Sequence, residues 1–259
     1  MALEKGQLVN VGTQMMTFMG DLIRAVTRPV GRRLPIEAYP GWLGRIHNFR
    51  VPRGTRFKTE GGPGGGANMR VIISLLKTIL SLDGDIAECG VFQGSTLIPI
   101  ALFAQRRPSR KHVLGFDSFE GLDDTVTFDI TLGGDDEARK RVGGFSGTSY
   151  ERLLEKARRF GLERAVSVVK GYFHETLGRY ANHRFCFVHL DCVLYQSYKE
   201  CLDFFYPRLV KGGVILLDEY LDPPWPGCTQ AVDEFLADKP ERPLAIESDN
   251  QVKYYLRKL

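Results

Sequence analysis

The sequence lacks the cysteine patterns of a zinc site. No Cys-x-x-Cys pair occurs and no histidine stands at a spacing suited to zinc. Three of the five cysteines lie in or beside apolar runs, as small buried residues do, which suits a reducing compartment; the five are Cys89, Cys186, Cys192, Cys201 and Cys228. The first residues also lack a basic segment followed by a continuous apolar core, so no signal peptide is evident and we expect a cytoplasmic protein.

Two common nucleotide-binding motifs are absent as well. The glycine-rich stretch at 61–66 is not followed by the Gly-Lys-Ser/Thr of a phosphate-binding loop, and we interpret it as a hinge. The glycines between residues 90 and 95 do not form the Gly-x-Gly-x-x-Gly fingerprint of dinucleotide binding. The sequence therefore argues against a protein that binds NAD.

Strong charge of one sign is confined to the N-terminal part of the chain. The net charge is +4, and the first 70 residues hold 11 Lys/Arg against 4 Asp/Glu. Their arginines lack the interleaved aromatic residues of a nucleic-acid platform, so we expect no nucleic-acid partner. Apolar residues between 8 and 27 follow an interrupted helical spacing. This stripe could lie on a membrane surface, but we favour packing on the domain or on a second subunit, and hence a homo-oligomer without stable membrane insertion.

Helical and strand patterns alternate from residue 67 onward. This alternation predicts an α/β fold, doubly wound around a mainly parallel sheet of seven strands, with a helical and irregular extension before it. We expect residues 1–66 to form that extension, residues 67–259 to form the domain, and the acidic segment 119–150 to be an insertion. The predicted strands are 85–89, 112–116, 165–170, 185–190, 214–217, 244–247 and 252–257, and the predicted helices are 69–81, 95–105, 150–160, 198–206 and 229–236.

Acidic residues follow two of these strands directly. Asp191 comes after the apolar run 185–190, and Asp218 and Glu219 come after 214–217. Because ligands bind at the carboxyl ends of parallel strands, these acids should meet at one edge of the sheet. Three carboxylates together need a cation, and a hard divalent ion such as Mg²⁺ takes oxygen ligands. Alternatively, Asp218 and Glu219 simply begin a solvated loop.

The first predicted strand leads into a glycine turn that suits a nucleoside ligand. Gly90 lets the backbone approach a ligand, Gly94 permits the turn, and Ser95 can cap the next helix. Asp117 ends the second strand, where an acid hydrogen-bonds ribose hydroxyls. Glu88 stands where a phosphate would otherwise sit, which favours a nucleoside cofactor with a cationic amino-acid tail.

Six segments from about residue 69 to residue 236 together resemble the macrocin O-methyltransferase (TylF-like) family of S-adenosylmethionine-dependent enzymes. They occur in order along the chain and include Glu88-Cys-Gly-Val-Phe-Gln-Gly-Ser95, Gly115-Phe-Asp-Ser-Phe-Glu-Gly-Leu122, Lys170-Gly-Tyr-Phe173, His189-Leu-Asp191, Gly212-Gly213 and Asp218-Glu219-Tyr220. The terminal regions add little to the resemblance.

The resemblance implies a class I methyltransferase fold and methyl transfer to a hydroxyl of a sugar-containing small molecule, with S-adenosylmethionine and Mg²⁺ or Mn²⁺ as cofactors. It implies metal ligation by Asp191, Asp218 and Glu219, although Asp is more usual at the last position. The implied cofactor contacts are Glu88, Gly90, Gly94, Ser95, Asp117 and Ser118, with Gly171, Tyr172 and Phe173 near the adenine.

One departure from the family bears on catalysis. Such enzymes typically read Leu-Asp-x-Asp-Leu-Tyr, with the second acid as the base, whereas this chain has Val193 there. An alkyl side chain cannot accept a proton. Asp191 and His189, which share a face if the strand alternation holds, are therefore the candidate catalytic residues, and a structural role for His189 stays open. The leading hypothesis is an O-methyltransferase, and the alternative is a cofactor-binding protein that has lost its chemistry.

Overall fold

The computed structural model describes residues 65–105, 107, 111–122, 145–248 and 251–259. The predicted N-terminal extension, apart from its last two residues, and most of the predicted 119–150 insertion lie outside these residues. Every helix in the described part of the chain is too short or too polar to span a bilayer.

The described residues alternate between helices and strands, as the sequence pattern predicts. The strands are β1 Asp85–Cys89, β2 Val113–Asp117, β3 Val166–Lys170, β4 Phe185–Leu190, β5 Leu209–Leu217, β6 Leu244–Ser248 and β7 Gln251–Arg257. The helices are α1 Gly65–Ile79, α2 Leu97–Gln105, α3 Tyr150–Arg159, α4 Phe173–Thr176, α5 Tyr195–Phe205 and α6 Pro226–Leu236, with 3₁₀ turns at Leu177–Tyr180 and Tyr206–Arg208.

All seven strands belong to one sheet in the order β3-β2-β1-β4-β5-β7-β6. Strands β1 to β5 are parallel, whereas β7 runs antiparallel to both β5 and β6. The strand order reverses between β1 and β4, and such a switch point opens a crevice at the carboxyl ends of the strands. All six residues of β4 are buried, as expected for a central strand that is covered on both faces. The predicted mainly parallel, seven-stranded fold is thus confirmed.

Most predicted boundaries differ from the structure by one or two residues, and four elements begin at least three residues earlier than predicted. Helix α1 begins at Gly65 instead of Met69. β5 begins at Leu209 and runs through the glycine pair at 212 and 213, which the sequence pattern places before the strand. Gly212 has a φ of 79°, and the pairing of β4 with β5 is irregular between Phe185 and Phe187, so a bulge absorbs the glycine. Helices α5 and α6 each begin three residues earlier than predicted, at Tyr195 and Pro226.

Gly90 is required where β1 and β4 end side by side. Its φ is 86°, and a Cβ atom built on it would lie 1.8 Å from the carbonyl oxygen of Asp191. Asp191 also donates its backbone N–H to the carbonyl oxygen of Cys89 at 2.9 Å, which continues the pairing beyond the strands. This close approach is a structural reason for Gly90, in addition to its predicted contact with a ligand.

We predict that Gly90→Ala lowers the free energy of unfolding by at least about 3 kcal/mol, because a left-handed alanine costs about 1–3 kcal/mol before any collision is counted. Chemical denaturation of the purified protein measures this change. The control is Gly178→Ala, since a Cβ there meets nothing within 4 Å, and it should change stability by about 0.5 kcal/mol or less. Equal stability of the two variants would show that β1 and β4 do not approach as described.

Candidate active site

A buried histidine links the ends of β1, β4 and β5. His189 lies opposite Glu88 in the β1–β4 register, and both side chains are fully buried. Its Nδ1 is 3.1 Å from Glu88 Oε1, and its Nε2 is 3.3 Å from Asp218 Oδ1. Burial alone would lower the pKa of His189, but the hydrogen bonds to Asp218 and Glu88 raise it to about 10. The ring is therefore a cation between two carboxylates.

Both oxygens of Asp218 accept hydrogen bonds from other elements of the fold. Asn68 Nδ2, on α1, donates to Oδ1 at 3.0 Å, and Lys253 Nζ, on β7, donates to Oδ2 at 2.9 Å. Lys253 also donates to the backbone oxygen of Asp218 at 2.8 Å. Burial would raise the pKa of Asp218, but His189 and Lys253 together hold it well below its usual range. Asp218 is thus fixed in place and ionised.

Asp191 and Glu219 complete a cluster with Asp218. One carboxylate oxygen from each of the three lies within 4.8 Å of the others. Tyr198 donates its hydroxyl to Glu219 Oε2 at 2.7 Å, which orients that side chain. Burial and then the charge of Asp218 raise the pKa of Glu219 to about 8. Burial and the neighbouring carboxylates also raise the pKa of Asp191 well above its usual value. The structure thus brings these three acids together at one edge of the sheet, as the sequence predicts.

The charges of this region do not balance among the described residues. Four carboxylates, those of Glu88, Asp191, Asp218 and Glu219, face two cations, His189 and Lys253. If all four acids are ionised, they exceed the two cations by two negative charges, which is the charge of one divalent ion. Together with burial, this like charge raises the pKa of Asp191 and Glu219. All three clustered acids offer oxygen ligands. A second possible ligand set, Glu88, His189 and Asp191, also lies within 4.8 Å. It is less suitable, because both ring nitrogens of His189 already bind carboxylates.

The cofactor half of the predicted site is organised around Asp117. Its Oδ2 accepts the backbone N–H of Phe92 at 2.8 Å, and its Oδ1 accepts that of Phe119 at 2.7 Å. Both phenylalanines are left-handed, with φ of 45° and 59°, so one carboxylate holds two strained turns. Burial raises the pKa of Asp117 despite these hydrogen bonds. Each oxygen keeps a lone pair that could accept a ribose hydroxyl.

Glycines with positive φ lie in the turns that follow β1 and β3. Gly94 has a φ of 74° and lies between β1 and α2, whereas Gly171 has a φ of 134° and donates its N–H to the carbonyl of Asp117 at 3.0 Å. Helix α2 begins at Leu97, two residues beyond the predicted cap at Ser95. Thr96, which the sequence reasoning missed, donates its hydroxyl to Glu88.

The remaining predicted cofactor residues lie in the loops after β2 and β3. Ser118 donates to the carbonyl of Gly121 at 3.2 Å and so closes the turn after Asp117. Tyr172 caps α4 with its backbone N–H 3.3 Å from Glu175, and Phe173 is the first residue of that helix. The structure thus places these residues at the carboxyl edge of the sheet, while their contact with a cofactor stays a prediction.

The segment after Asp191 forms a tight turn. Leu194 donates its N–H to the carbonyl oxygen of Cys192 at 2.6 Å, across Val193, whose φ is 53°. A turn of this kind with a positive φ is rare and strained, above all for a β-branched residue. The strand alternation therefore ends before Val193, and the direction of this side chain cannot be read from the alternation.

Three residues that support the acids were not found from the sequence. Asn68 lies 150 residues before Asp218, Lys253 lies 35 residues after it, and Tyr198 is a buried aromatic residue within α5. Only the fold brings them together, because no local spacing relates them to the acids.

Comparison with known proteins supports the same assignment of fold and family. The model of the TylF macrocin-O-methyltransferase family matches residues 65–257. Among solved structures, the O-methyltransferase NovP is similar with a TM-score of 0.63, 24% identity and coverage of 75% of this chain and 81% of that one. The calicheamicin methyltransferase CalS11 has a TM-score of 0.59, 24% identity and coverage of 85% and 86%. The chain has a class I methyltransferase fold.

Two curated relatives are also similar to this chain in sequence. A Streptomyces olivaceus 8-demethyl-8-(2,3-dimethoxy-alpha-L-rhamnosyl)-tetracenomycin-C 4'-O-methyltransferase is 28% identical over 171 residues, which are 62% of this chain and 61% of that protein. A Streptomyces niveus demethyldecarbamoylnovobiocin O-methyltransferase is 28% identical over 159 residues, which are 61% of this chain and 60% of that protein. The match thus spans about 60% of the length of these relatives. The chain belongs to the TylF macrocin-O-methyltransferase family.

We predict that Lys253→Met lowers the free energy of unfolding by about 2–4 kcal/mol, because it leaves a buried carboxylate without one of its cations. The side chain of Lys253 is 17% exposed, so the loss should fall below that of a fully buried pair. Lys199→Met is the control, since the ion pair of Lys199 with Glu234 is more than 40% exposed on both sides, and it should cost less than about 1 kcal/mol. If the two variants unfold at the same denaturant concentration, Lys253 does not stabilise Asp218.

Proposed function

We propose that the protein is an O-methyltransferase that takes its methyl group from S-adenosylmethionine and uses a divalent cation, Mg²⁺ or Mn²⁺. The observation that carries this proposal is the cluster of Asp191, Asp218 and Glu219 beside the β1–β4 switch point. A cofactor crevice and an oxygen-lined cation site then share one edge of the sheet. Membership of the TylF family supports the reaction class.

The residues at the end of β1 suit a cofactor with a cationic tail. Glu88 is fully buried, and its Oε2 has no hydrogen-bond partner among the described residues. A buried carboxylate oxygen without a partner is costly, so a bound ammonium group would relieve it. The same proposal assigns the ribose hydroxyls to Asp117 and Ser118, the amino-acid end to Gly90, Gly94 and Ser95, and the adenine to Gly171, Tyr172 and Phe173.

The acids at the ends of β4 and β5 suit a divalent cation held by Asp191, Asp218 and Glu219. A cation bound there supplies positive charge that favours ionisation of a neighbouring hydroxyl. Asp218 would be ready to bind it, because His189 and Lys253 keep it ionised and fixed. Tyr198 orients Glu219 in the same way. Preorganised ligands of this kind lower the cost of positioning an acceptor hydroxyl in line with the methyl donor.

The acceptor that we propose is a hydroxyl of a sugar-containing natural product. Two relatives support it, since one is a 4'-O-methyltransferase of a rhamnosyl-tetracenomycin and the other is a demethyldecarbamoylnovobiocin O-methyltransferase. We further propose that the protein works in the cytoplasm as a homo-oligomer, without nucleic acid and without membrane insertion.

His189 fits a positioning role better than that of a base. Both of its ring nitrogens lie within hydrogen-bond distance of carboxylates, and it has no exposed surface. A protonated imidazole without a free nitrogen cannot accept a proton. Asp191, which is part-buried and lies within the acid cluster, is the better candidate for receiving the proton of the acceptor. We assign to His189 the task of joining the cofactor half of the site, at Glu88, to the cation half, at Asp218.

We predict that Asp117→Ala weakens binding of S-adenosylmethionine by about 1.5–3 kcal/mol, the range for hydrogen bonds to a charged group. Isothermal titration calorimetry of the folded variant measures this loss. The control is Asp85→Ala, which removes an acid from the opposite end of β1, where Asp85 lies 3.1 Å from His183. The control should bind like the wild type. Unchanged affinity in Asp117→Ala would remove Asp117 from the cofactor site.

A second prediction concerns the cation. Treatment with EDTA should abolish methyl transfer to glycosides with vicinal hydroxyls and leave the affinity for S-adenosylmethionine within about twofold, since the two ligands use different residues. Added Mg²⁺ or Mn²⁺ should restore turnover. Zn²⁺ should not be preferred, because every proposed ligand atom is an oxygen. Full activity in protein shown by elemental analysis to be metal-free would contradict the proposed cation site.

A protein that binds the cofactor without turnover is the second candidate, and Val193 favours it. The valine occupies the position of the family's second acid, in a strained turn. Single-turnover assays with a panel of glycosides, alongside calorimetry with S-adenosylmethionine and Mn²⁺, separate the two functions. Methylated product supports the enzyme. Tight binding of both ligands without product on any glycoside would favour the second candidate.

A further inference from the structure

Asn68 lies at the acid cluster but is not one of the acids. It is the fourth residue of α1 and is only 6% exposed. Its Nδ2 donates to Asp218 Oδ1 at 3.0 Å, whereas its Oδ1 is completely buried and has no hydrogen-bond partner among the described residues. Burying an amide oxygen without a hydrogen-bond partner is costly, so this arrangement needs a reason.

The orientation of this amide is fixed by its partner. If the amide were turned over, its oxygen would face the carboxylate oxygen of Asp218 at about hydrogen-bond distance, and two acceptors would repel each other. The amide nitrogen would then lose its acceptor as well. Asp218 therefore directs the Nδ2 of Asn68 towards itself and leaves the oxygen on the other branch of the same amide without a partner.

We propose that Asn68 is a fourth protein ligand of the cation site, its Oδ1 binding the ion that Asp191, Asp218 and Glu219 hold. The inference rests on the cation site of the proposed function. Amide carbonyl oxygens are good ligands for hard divalent ions, and a bound ion would satisfy the buried Oδ1. One side chain thereby performs two tasks, since its nitrogen holds Asp218 in place while its oxygen contributes to the coordination of the ion.

The charge of the site explains why an amide is suited to this position. When all four acids are ionised to bind a divalent ion, their formal charges, those of His189 and Lys253 and that of the ion sum to zero. A further carboxylate at position 68 would add an uncompensated charge and would lose the hydrogen bond to Asp218, because an ionised carboxylate cannot donate. A neutral oxygen adds a ligand and leaves the balance unchanged.

The test is a titration of the full-length, metal-free protein with Mn²⁺ alone, by calorimetry and by water-proton relaxation, which reports the exchangeable waters on bound Mn²⁺. We compare the wild type with Asn68→Leu, of similar size but without polar atoms, and with Asn68→Asp, which keeps the oxygen. Asn182→Leu is the matched control on an exposed asparagine. Thermal unfolding of each variant establishes that it is folded.

We predict that Asn68→Leu binds Mn²⁺ at least about tenfold more weakly, with one more exchangeable water on the ion, because water replaces the lost oxygen. Asn68→Asp and Asn182→Leu should keep the wild-type number of waters, and Asn68→Asp remains informative if the leucine variant does not fold. Unchanged Mn²⁺ affinity in Asn68→Leu, or weaker binding with no added water, would overturn the inference, as would an added water in Asn68→Asp. If the wild type itself binds no Mn²⁺, both the proposed cation site and the inference on Asn68 are wrong.

Discussion

The structure depends on a chain of buried charges that crosses four strands. Glu88 on β1, His189 on β4, Asp218 after β5 and Lys253 on β7 follow one another through contacts of 2.9–3.3 Å. Charges removed from water are stable only when each is paired, so a shift in the register of any of these strands would leave one of them without its partner. The pairing of Glu88 with His189, and of His189 with Leu216, sets that register.

Such a network is a poor source of stability, since an apolar core of the same volume costs no desolvation of charge. The position of the network gives a better reason for its presence than stability does. One end reaches Glu88, whose Oε2 has no partner, and the other end reaches the cluster with Asp218. The network thus connects the proposed cofactor pocket with the proposed cation site and holds both in a fixed relation. In the proposed reaction a methyl donor and an acceptor hydroxyl must meet in line, and a fixed connection between the two sites would favour that geometry.

The sequence predicted those parts of the molecule that depend on local pattern. Asp191, Asp218 and Glu219 follow apolar strands directly, so their meeting at the carboxyl edge follows from parallel topology alone. The helix at Tyr150 was also predictable, and Ser149 caps it by accepting the N–H of Arg152. The contacts of Asn68 and Lys253 depend on tertiary packing across 150 and 35 residues, which no spacing encodes. Val193 has a positive φ, which β-branched residues rarely adopt, so its turn was not predictable from the sequence. The glycine pair at the bulge in β5 is typical of a loop, so the start of that strand was predicted too late.

The measurement that tests the account most directly is a crystal structure with S-adenosylhomocysteine and Mn²⁺, phased to show the anomalous signal of manganese. The account predicts one Mn²⁺ peak among the carboxylate oxygens of Asp191, Asp218 and Glu219, with the amino group of the nucleoside beside Glu88. A peak between Glu88, His189 and Asp191, or a bound nucleoside with no manganese at the edge of the sheet, would contradict it.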